Sequence, residues 1–161
     1  MIFVTVGTQL PFERLIKAVD DWAANNPQVE VIAQIGKTRY AAEHLRTVVS
    51  MTPDEYDQQL SAAELIIGHV GMGTIISGVK HKKPLILMPR HAAKGEHRND
   101  HQLSTAKQFG KLSLVTVVDS DIELEQGINK ALTLSSDMQG GEVLEVSSDL
   151  VKTISDFVRG I

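Results

Sequence analysis

The 161-residue chain contains no cysteine, which excludes disulfides and thiolate-rich metal sites and is compatible with a reducing cytoplasm. Its start, Met1-Ile2-Phe3-Val4-Thr5-Val6-Gly7, lacks the basic flank and long apolar region of a signal peptide. No apolar run approaches the roughly 20 residues needed to span a bilayer. The chain therefore reads as cytoplasmic, with any membrane association supplied by a partner. Excess positive charge is missing too: the formal net charge is -4, whereas a nucleic-acid binder normally shows a strongly basic face. Neither G-x-G-x-x-G nor G-x-x-x-x-G-K-[ST] occurs, which weakens NAD and ATP readings. There is no internal repeat, low-complexity tract or dividing linker, so residues 1–161 read as one domain. Nor is there a sign of a catalytic carboxylate pair, since Asp54, Glu55 and Asp57 look like helix-start charges.

What is present is alternation. Ile2 to Val6 is a short β-branched apolar run suited to a buried parallel strand. The turn Gly7-Thr8-Gln9-Leu10-Pro11 follows, and Pro11 suits the first position of a helix reaching about Asn25. Phe12, Leu15, Ile16, Val19, Trp22 and Ala23 fall on one face of that helix, with Glu13, Arg14, Lys17, Asp20 and Asp21 outside it. Val29 to Ile35 is a second strand. Lys37 to Leu45 is polar and ambiguous, with a short helix as one reading, and Thr47 to Met51 is a third strand. Thr52-Pro53-Asp54-Glu55 carries a capping box with proline at the first helical position, opening a helix to about Ala63.

A strand, Glu64 to Ile67, then breaks at Gly68-His69-Val70-Gly71-Met72-Gly73-Thr74. A helical segment from Ile75 to Lys80, a strand from Pro84 to Pro89, and a polar loop ending in Asn99-Asp100-His101-Gln102 follow. Asp100 to Phe109 is a helix, Leu112 to Val118 a strand, and Asp121 to Leu132 and Asp149 to Val158 are amphipathic helices. Ser135 to Gly141 is a serine- and glycine-rich link between the last two. This order predicts an α/β, doubly wound, Rossmann-like parallel sheet with right-handed crossovers.

Three loops should meet at the carboxyl rim of that sheet, where ligands bind in open α/β folds: Gly7 to Leu10, Gly68 to Thr74, and Arg90 to Gln102. Gly71 and Gly73 let the backbone approach a ligand and offer N–H groups at a helix start, and Thr74 adds a hydroxyl. Gly7-Thr8 is a smaller version of the same device. Arg90, Lys94 and Arg98 concentrate positive charge in a net acidic chain. Together these suit a nucleotide diphosphate compound. Turn chemistry alone would also explain glycines after a strand. His97 and His101 have metal spacing, but Asn99 is a good N-cap, so the helix should begin between them and no zinc site is expected. His69, at the end of a strand, fits a structural histidine as well as a functional one.

His69-x-Gly71-x-Gly73-Thr74, then Pro84-Leu85-x-x-x-Pro89, then Asn99-Asp100-His101-Gln102 resembles the C-terminal, donor-binding half of family 28 glycosyltransferases of the GT-B fold. The start, Phe3-Val4-Thr5-Val6-Gly7-Thr8 with Pro11-Phe12 and Leu15, is similar to the small subunit of split transferases, whose two halves are separate chains. Gly71-Met72-Gly73-Thr74-Ile75-Ile76, with Met88-Pro89-Arg90 and Gly95 through Gln102, is similar to bacterial exopolysaccharide subunits of the glucuronosyltransferase type.

The resemblance implies an inverting hexosyltransferase that needs neither metal nor cofactor. It would move sugar from a UDP-sugar to a lipid-linked saccharide acceptor, and would be active only with a membrane-anchored, acceptor-binding subunit that holds the general base. By position it implies Gly7, Thr8 and the loop His69, Gly71, Met72, Gly73, Thr74 around the diphosphate. His101 and Gln102 would stand at the donor sugar or diphosphate, with His69 and His101 as the candidate catalytic side chains. Arg90, Arg98 and Asn99 complete the expected binding set from the loop's own charge and position. Ser77 stands where the family often has a ribose-binding glutamate, which puts strict UDP selectivity in question. The last helix, with Leu150, Val151, Ile154, Phe157, Val158 and Ile161 apolar, is a candidate docking element or packs on its own sheet. Two other classes stand beside this one: a non-catalytic enhancer that kept the fold, and a free-standing enzyme of UDP-sugars such as an epimerase.

Overall fold

A computed structural model describes residues 1–137 and, beyond them, Lys152, Ser155, Asp156 and Arg159, all four helical. Six strands, β1 (Ile2–Thr5), β2 (Val31–Gln34), β3 (Arg46–Val48), β4 (Leu65–His69), β5 (Leu85–Met88) and β6 (Val115–Val117), form one sheet. All five pairings are parallel, in the order β3-β2-β1-β4-β5-β6. The helices are α1 (Glu13–Ala24), α2 (Pro53–Ala62), α3 (Met72–Lys80), α4 (His101–Phe109) and α5 (Asp121–Asp137).

Alternation along the strands divides the core into two layers. Ile2, Val4, Leu65, Ile67 and Ile86 face α1 and α5, where they meet Leu15, Ile16, Val19, Trp22, Leu124 and Ile128. Phe3, Ile66, Leu85 and Leu87 face the other way, toward Leu60 of α2, Ile75 and Val79 of α3, and Phe109 of α4. The four inner strands, β2, β1, β4 and β5, are therefore buried on both faces, as parallel strands between helix layers must be, whereas the edge strands β3 and β6 are largely exposed. Strand order reverses between β1 and β4, so their carboxyl ends diverge and leave a crevice above the sheet.

The expected strand and helix order is present, with four corrections besides the start of α1, where Pro11 lies two residues before Glu13 and not at the first helical position. Residues 37–45 form no helix. They are an irregular loop held by Asp20, which the helical pattern placed on the polar face of α1 but which is only 3% exposed. Its carboxylate accepts from the Tyr40 hydroxyl at 2.9 Å, Glu43 N–H at 3.1 Å and His44 N–H at 2.8 Å. Burial alone would raise that carboxyl, but those bonds outweigh it and hold the pKa below the usual value. Second, α3 begins at Met72, three residues earlier than the expected Ile75, so Gly73 and Thr74 belong to its first turn. Third, α5 continues to Asp137, so residues 135–137 of the expected serine- and glycine-rich link are helical; the rest of that link lies outside the described residues. Fourth, α4 starts at His101, with Asp100 as its flanking residue, while Asn99 caps from one residue further out by accepting His101 N–H at 3.1 Å. Of the helix expected over 149–158 only Lys152, Ser155 and Asp156 are described, and the apolar face proposed for docking lies outside the described residues.

Candidate functional site

The crevice opens into a cavity of about 540 Å³, within the range of small-molecule sites. One wall is the loop after β1, with Gly7 and Thr8; the opposite wall is the entry to α3, from Gly71 to Thr74 with Ser77 behind it. Arg90, His97 and Gln102 close a third side. Ser50, Met51, Pro53 and Tyr56, from the end of β3 and the start of α2, close the fourth. The capping box does form there: Glu55 N–H donates to Thr52 Oγ1 at 3.3 Å and Thr52 N–H to Glu55 Oε2 at 2.8 Å, fixing the turn that carries Pro53 and Tyr56. Gln34 joins the walls from beneath, accepting from Thr5 Oγ1 at 2.9 Å and donating to the carbonyls of Gly7 at 3.1 Å and Val49 at 3.2 Å. No Asp or Glu is among the lining residues described.

His69 sits on the floor between two glycines that owe their identity to it. A Cβ on Gly71 would stand 2.2 Å from His69 Nε2, and one on Gly7 2.7 Å from Cε1. Gly7 also has φ +76°, in the left-handed region that side chains disfavour. Burial first, and then the nearby Arg90 charge, pushes the imidazole pKa down to about 4, so His69 is neutral at pH 7. It can donate or accept a hydrogen bond there but carries no charge.

This depression has a stability consequence with a definite sign. Between about pH 4 and 6.5 the unfolded chain takes up a proton at His69 that the folded chain refuses, so stability falls as pH is lowered. The loss is expected to reach about 2 kcal/mol by pH 5, from roughly 1.4 kcal/mol per pH unit. Asp20 and Glu96, whose folded pKa values are lowered, lose their contribution only below their ordinary carboxylate range. Urea midpoints between pH 6.5 and 5 therefore isolate His69, and His69→Gln is expected to flatten the slope in that window.

Arg90 is the buried charge of the site. It is 3% exposed, and its Nη2 donates to the carbonyls of Val6 at 2.8 Å and Leu10 at 2.6 Å. Its guanidinium lies 4.9 Å from the centre of the Phe12 ring. No carboxylate stands within ion-pair distance among the described residues, Nε is buried without a partner, and burial holds its pKa below the ordinary value. Its backbone N–H donates to Gln102 Oε1 at 3.0 Å, tying α4 to the same corner. Across the cavity, Gly71 provides no side-chain cap for α3, so the first-turn N–H groups and the positive end of that helix face the cavity. A buried cation with no carboxylate in ion-pair contact, Glu96 acting on it only from farther off, stands opposite an uncapped helix start, which is an arrangement for an anion.

Of the expected site residues, Gly7, Thr8, His69, Gly71, Met72, Gly73, Thr74, Ser77, Arg90 and Gln102 come together around this cavity. Arg98, Asn99 and His101 do not line it; they follow on the loop outside, and all three are exposed. Missing from the sequence reading were the wall after β3 and His97, which had been weighed only as a metal ligand. Among the described residues no three His, Asp or Glu groups gather as a metal site would require. The β3 wall had a weaker signal: β3 is the edge strand, two places from the switch point, but its loop leaves the same carboxyl rim of the sheet.

The sequence profile of the glycosyltransferase family 28 C-terminal domain matches residues 1–141. The UDP-N-acetylglucosamine transferase subunit ALG13 of Yarrowia lipolytica is 26% identical over 152 residues, covering 83% of this chain and 71% of that protein. The human protein of the same name is 32% identical over 123 residues, covering 68% of this chain but only 10% of the human protein. The solved structure of the glycosyltransferase of kitacinnamycin shares the fold, with a TM-score of 0.62 at 17% identity over 98% of this chain and 38% of that one. The chain thus spans well under half of that transferase and a tenth of the human relative. The architecture is that of the C-terminal half of a GT-B glycosyltransferase. Because the profile runs from β1 through every loop that lines the cavity, the chain belongs to the glycosyltransferase family 28 C-terminal domain family.

Proposed function

We propose that the chain is the donor-binding subunit of a two-subunit, inverting glycosyltransferase that takes a hexosyl group from a UDP-sugar. The observation that carries this is the cavity's charge: a buried Arg90 with no carboxylate partner, an uncapped α3 start, and no acidic lining residue among those described. A diphosphate supplies the negative charge that such a site lacks. The relatives support the uridine part, since both are named as UDP-N-acetylglucosamine transferase subunits.

In this reading the N–H groups of Met72, Gly73 and Thr74 hold the diphosphate with Arg90, and they bind it more strongly as charge develops on the departing UDP. Gly7 and Thr8 line its other side. His69 offers a neutral ring beneath it, and Ser77 offers the ribose a single hydroxyl. Gln102 stands at the sugar, while His101, Asn99 and Arg98 at the outer edge meet the part of the donor that projects from the cavity. The acceptor would be a lipid-linked saccharide of exopolysaccharide or cell-surface glycan synthesis. It would be presented at the cytoplasmic face by a membrane-anchored partner that also holds the general base. No helix among the described residues is long and apolar enough to cross a membrane.

Thermal-shift titration tests the reading, with UDP, UDP-glucuronate, UDP-N-acetylglucosamine, ADP and NAD, each with and without EDTA. Ligand at 100 times its dissociation constant is expected to stabilise the fold by about 2.7 kcal/mol. Uridine nucleotides alone should give the shift, unchanged by EDTA. An equal shift with NAD or ADP, or its loss in EDTA, contradicts the proposal.

A further inference from the structure

Among the cavity residues given no role in the function proposed above is a histidine on the third wall. His97 lines the cavity beside Arg90 and Gln102, on the loop between a 3-10 turn, Ala92–Lys94, and α4. That loop is irregular, yet the residue before His97 is among the most firmly tied in the molecule. The Glu96 carboxylate takes Arg14 in a two-point grip, from Nε at 2.7 Å and from Nη2 at 3.0 Å, and also accepts His91 N–H at 2.9 Å. Arg14, on α1, donates as well to the Pro89 carbonyl at 2.8 Å and the Asp119 carbonyl at 3.1 Å. Asp119 in turn meets His91 Nε2 at 2.6 Å. This bidentate pair is half-buried, the setting in which such pairs fix geometry. Glu96 itself does not line the cavity.

The imidazole is held from its other side as well. Asn99 N–H donates to His97 Nδ1 at 3.4 Å, and Asn99 Oδ1 accepts His101 N–H at 3.1 Å. A ring whose Nδ1 accepts must, when neutral, carry its proton on Nε2. No described protein group accepts from Nε2, which leaves that N–H for a ligand in the cavity. Resting on the diphosphate reading of the cavity, we propose that His97 is a ligand-contact residue that donates from Nε2 to the donor's diphosphate, and that Arg14–Glu96 is the clamp positioning it. Arg14 and Glu96 act through His97 and touch no substrate.

Calorimetry with UDP, and ligand-observed NMR with uridine, on the wild type, His97→Ala, Glu96→Gln and the double variant test this. His97→Ala is expected to weaken UDP binding about tenfold, or about 1.4 kcal/mol, and to leave uridine binding unchanged. Glu96→Gln should weaken UDP several-fold, and the double variant should be no worse than His97→Ala, because the clamp acts only through the ring. In the wild type the His97 ring signals should move with UDP and stay in place with uridine, a response that a purely structural histidine would not give. UDP binding by His97→Ala equal to that of the wild type overturns the assignment and leaves the nucleotide reading intact. A wild-type chain that binds no UDP removes both. Equal losses for UDP and uridine overturn the diphosphate contact, and a fully additive double variant overturns the clamp.

Discussion

Gly71→Ala is expected to abolish measurable UDP binding and to lower the thermal midpoint by roughly 2–12 °C. The new methyl would sit 2.2 Å from His69 Nε2. An ordinary side chain would swing away at small cost, but the same end of this ring also lies tight against Gly7, where a Cβ would stand 2.7 Å from Cε1. Relief therefore requires the α3 entry or the loop after β1 to move, and overpacking of this kind costs about 1–3 kcal/mol. For a domain of this size, 1 kcal/mol corresponds to about 2–4 °C. Either movement displaces the N–H groups that would hold the diphosphate. The cause is specific, so the cure is too: Gly71→Ala combined with His69→Ala should recover much of the lost stability. Differential scanning calorimetry on the four proteins of that cycle gives the coupling, and a coupling near zero would mean that the clash is with something else.

Arg90→Met should divide stability from binding. The substitution leaves the Val6 and Leu10 carbonyls without their donor, a cost of about 1–3 kcal/mol when such groups are buried. It also removes a buried cation that has no carboxylate in ion-pair contact, whose burial penalty works in the opposite direction. These two effects largely cancel, so the urea midpoint should move by less than about 1 kcal/mol. Binding has no such offset. Losing a desolvated charge opposite an anion typically costs about 2–5 kcal/mol, so UDP affinity is expected to fall at least about 30-fold. Arg90→Lys keeps the charge but cannot reproduce the forked grip on two carbonyls, and it should fall between. Calorimetric titration beside urea unfolding measures both quantities. A large loss of stability with intact affinity would make Arg90 a purely structural residue.

Much of the fold is legible in the chain because parallel strands between helix layers are apolar on both faces. Ile2-Phe3-Val4 and Leu85-Ile86-Leu87 announce themselves without context. The capping box at Thr52 is legible for a similar reason: both of its hydrogen bonds lie within four residues. The loop over residues 37–45 is not, because what orders it is Asp20, about twenty residues earlier on a helix face that the periodicity assigns to solvent. A buried carboxylate satisfied by backbone N–H groups leaves no periodic trace.

The glycine turn and Arg90 could be read as an anion site from residue type alone. The start of α3 at Met72 could not, since Gly71 and Gly73 look alike in sequence, yet one precedes the helix and the other lies in its first turn. His97 was hidden for another reason. Its spacing from His101 raised a metal, while the ion pair that ties its neighbour Glu96 runs to Arg14, 82 residues away in sequence.

The most direct test of the central claim is an amide 1H-15N titration of the wild-type chain with UDP, with residues assigned. The account predicts that the largest shifts fall on Gly7, Thr8 and the first turn of α3, Met72 to Thr74, with smaller ones on Gln102 and around Ser50 and Tyr56. They should be absent with inorganic chloride at equal ionic strength. Shifts concentrated at the opposite, amino end of the sheet, or none at saturating UDP, would contradict it.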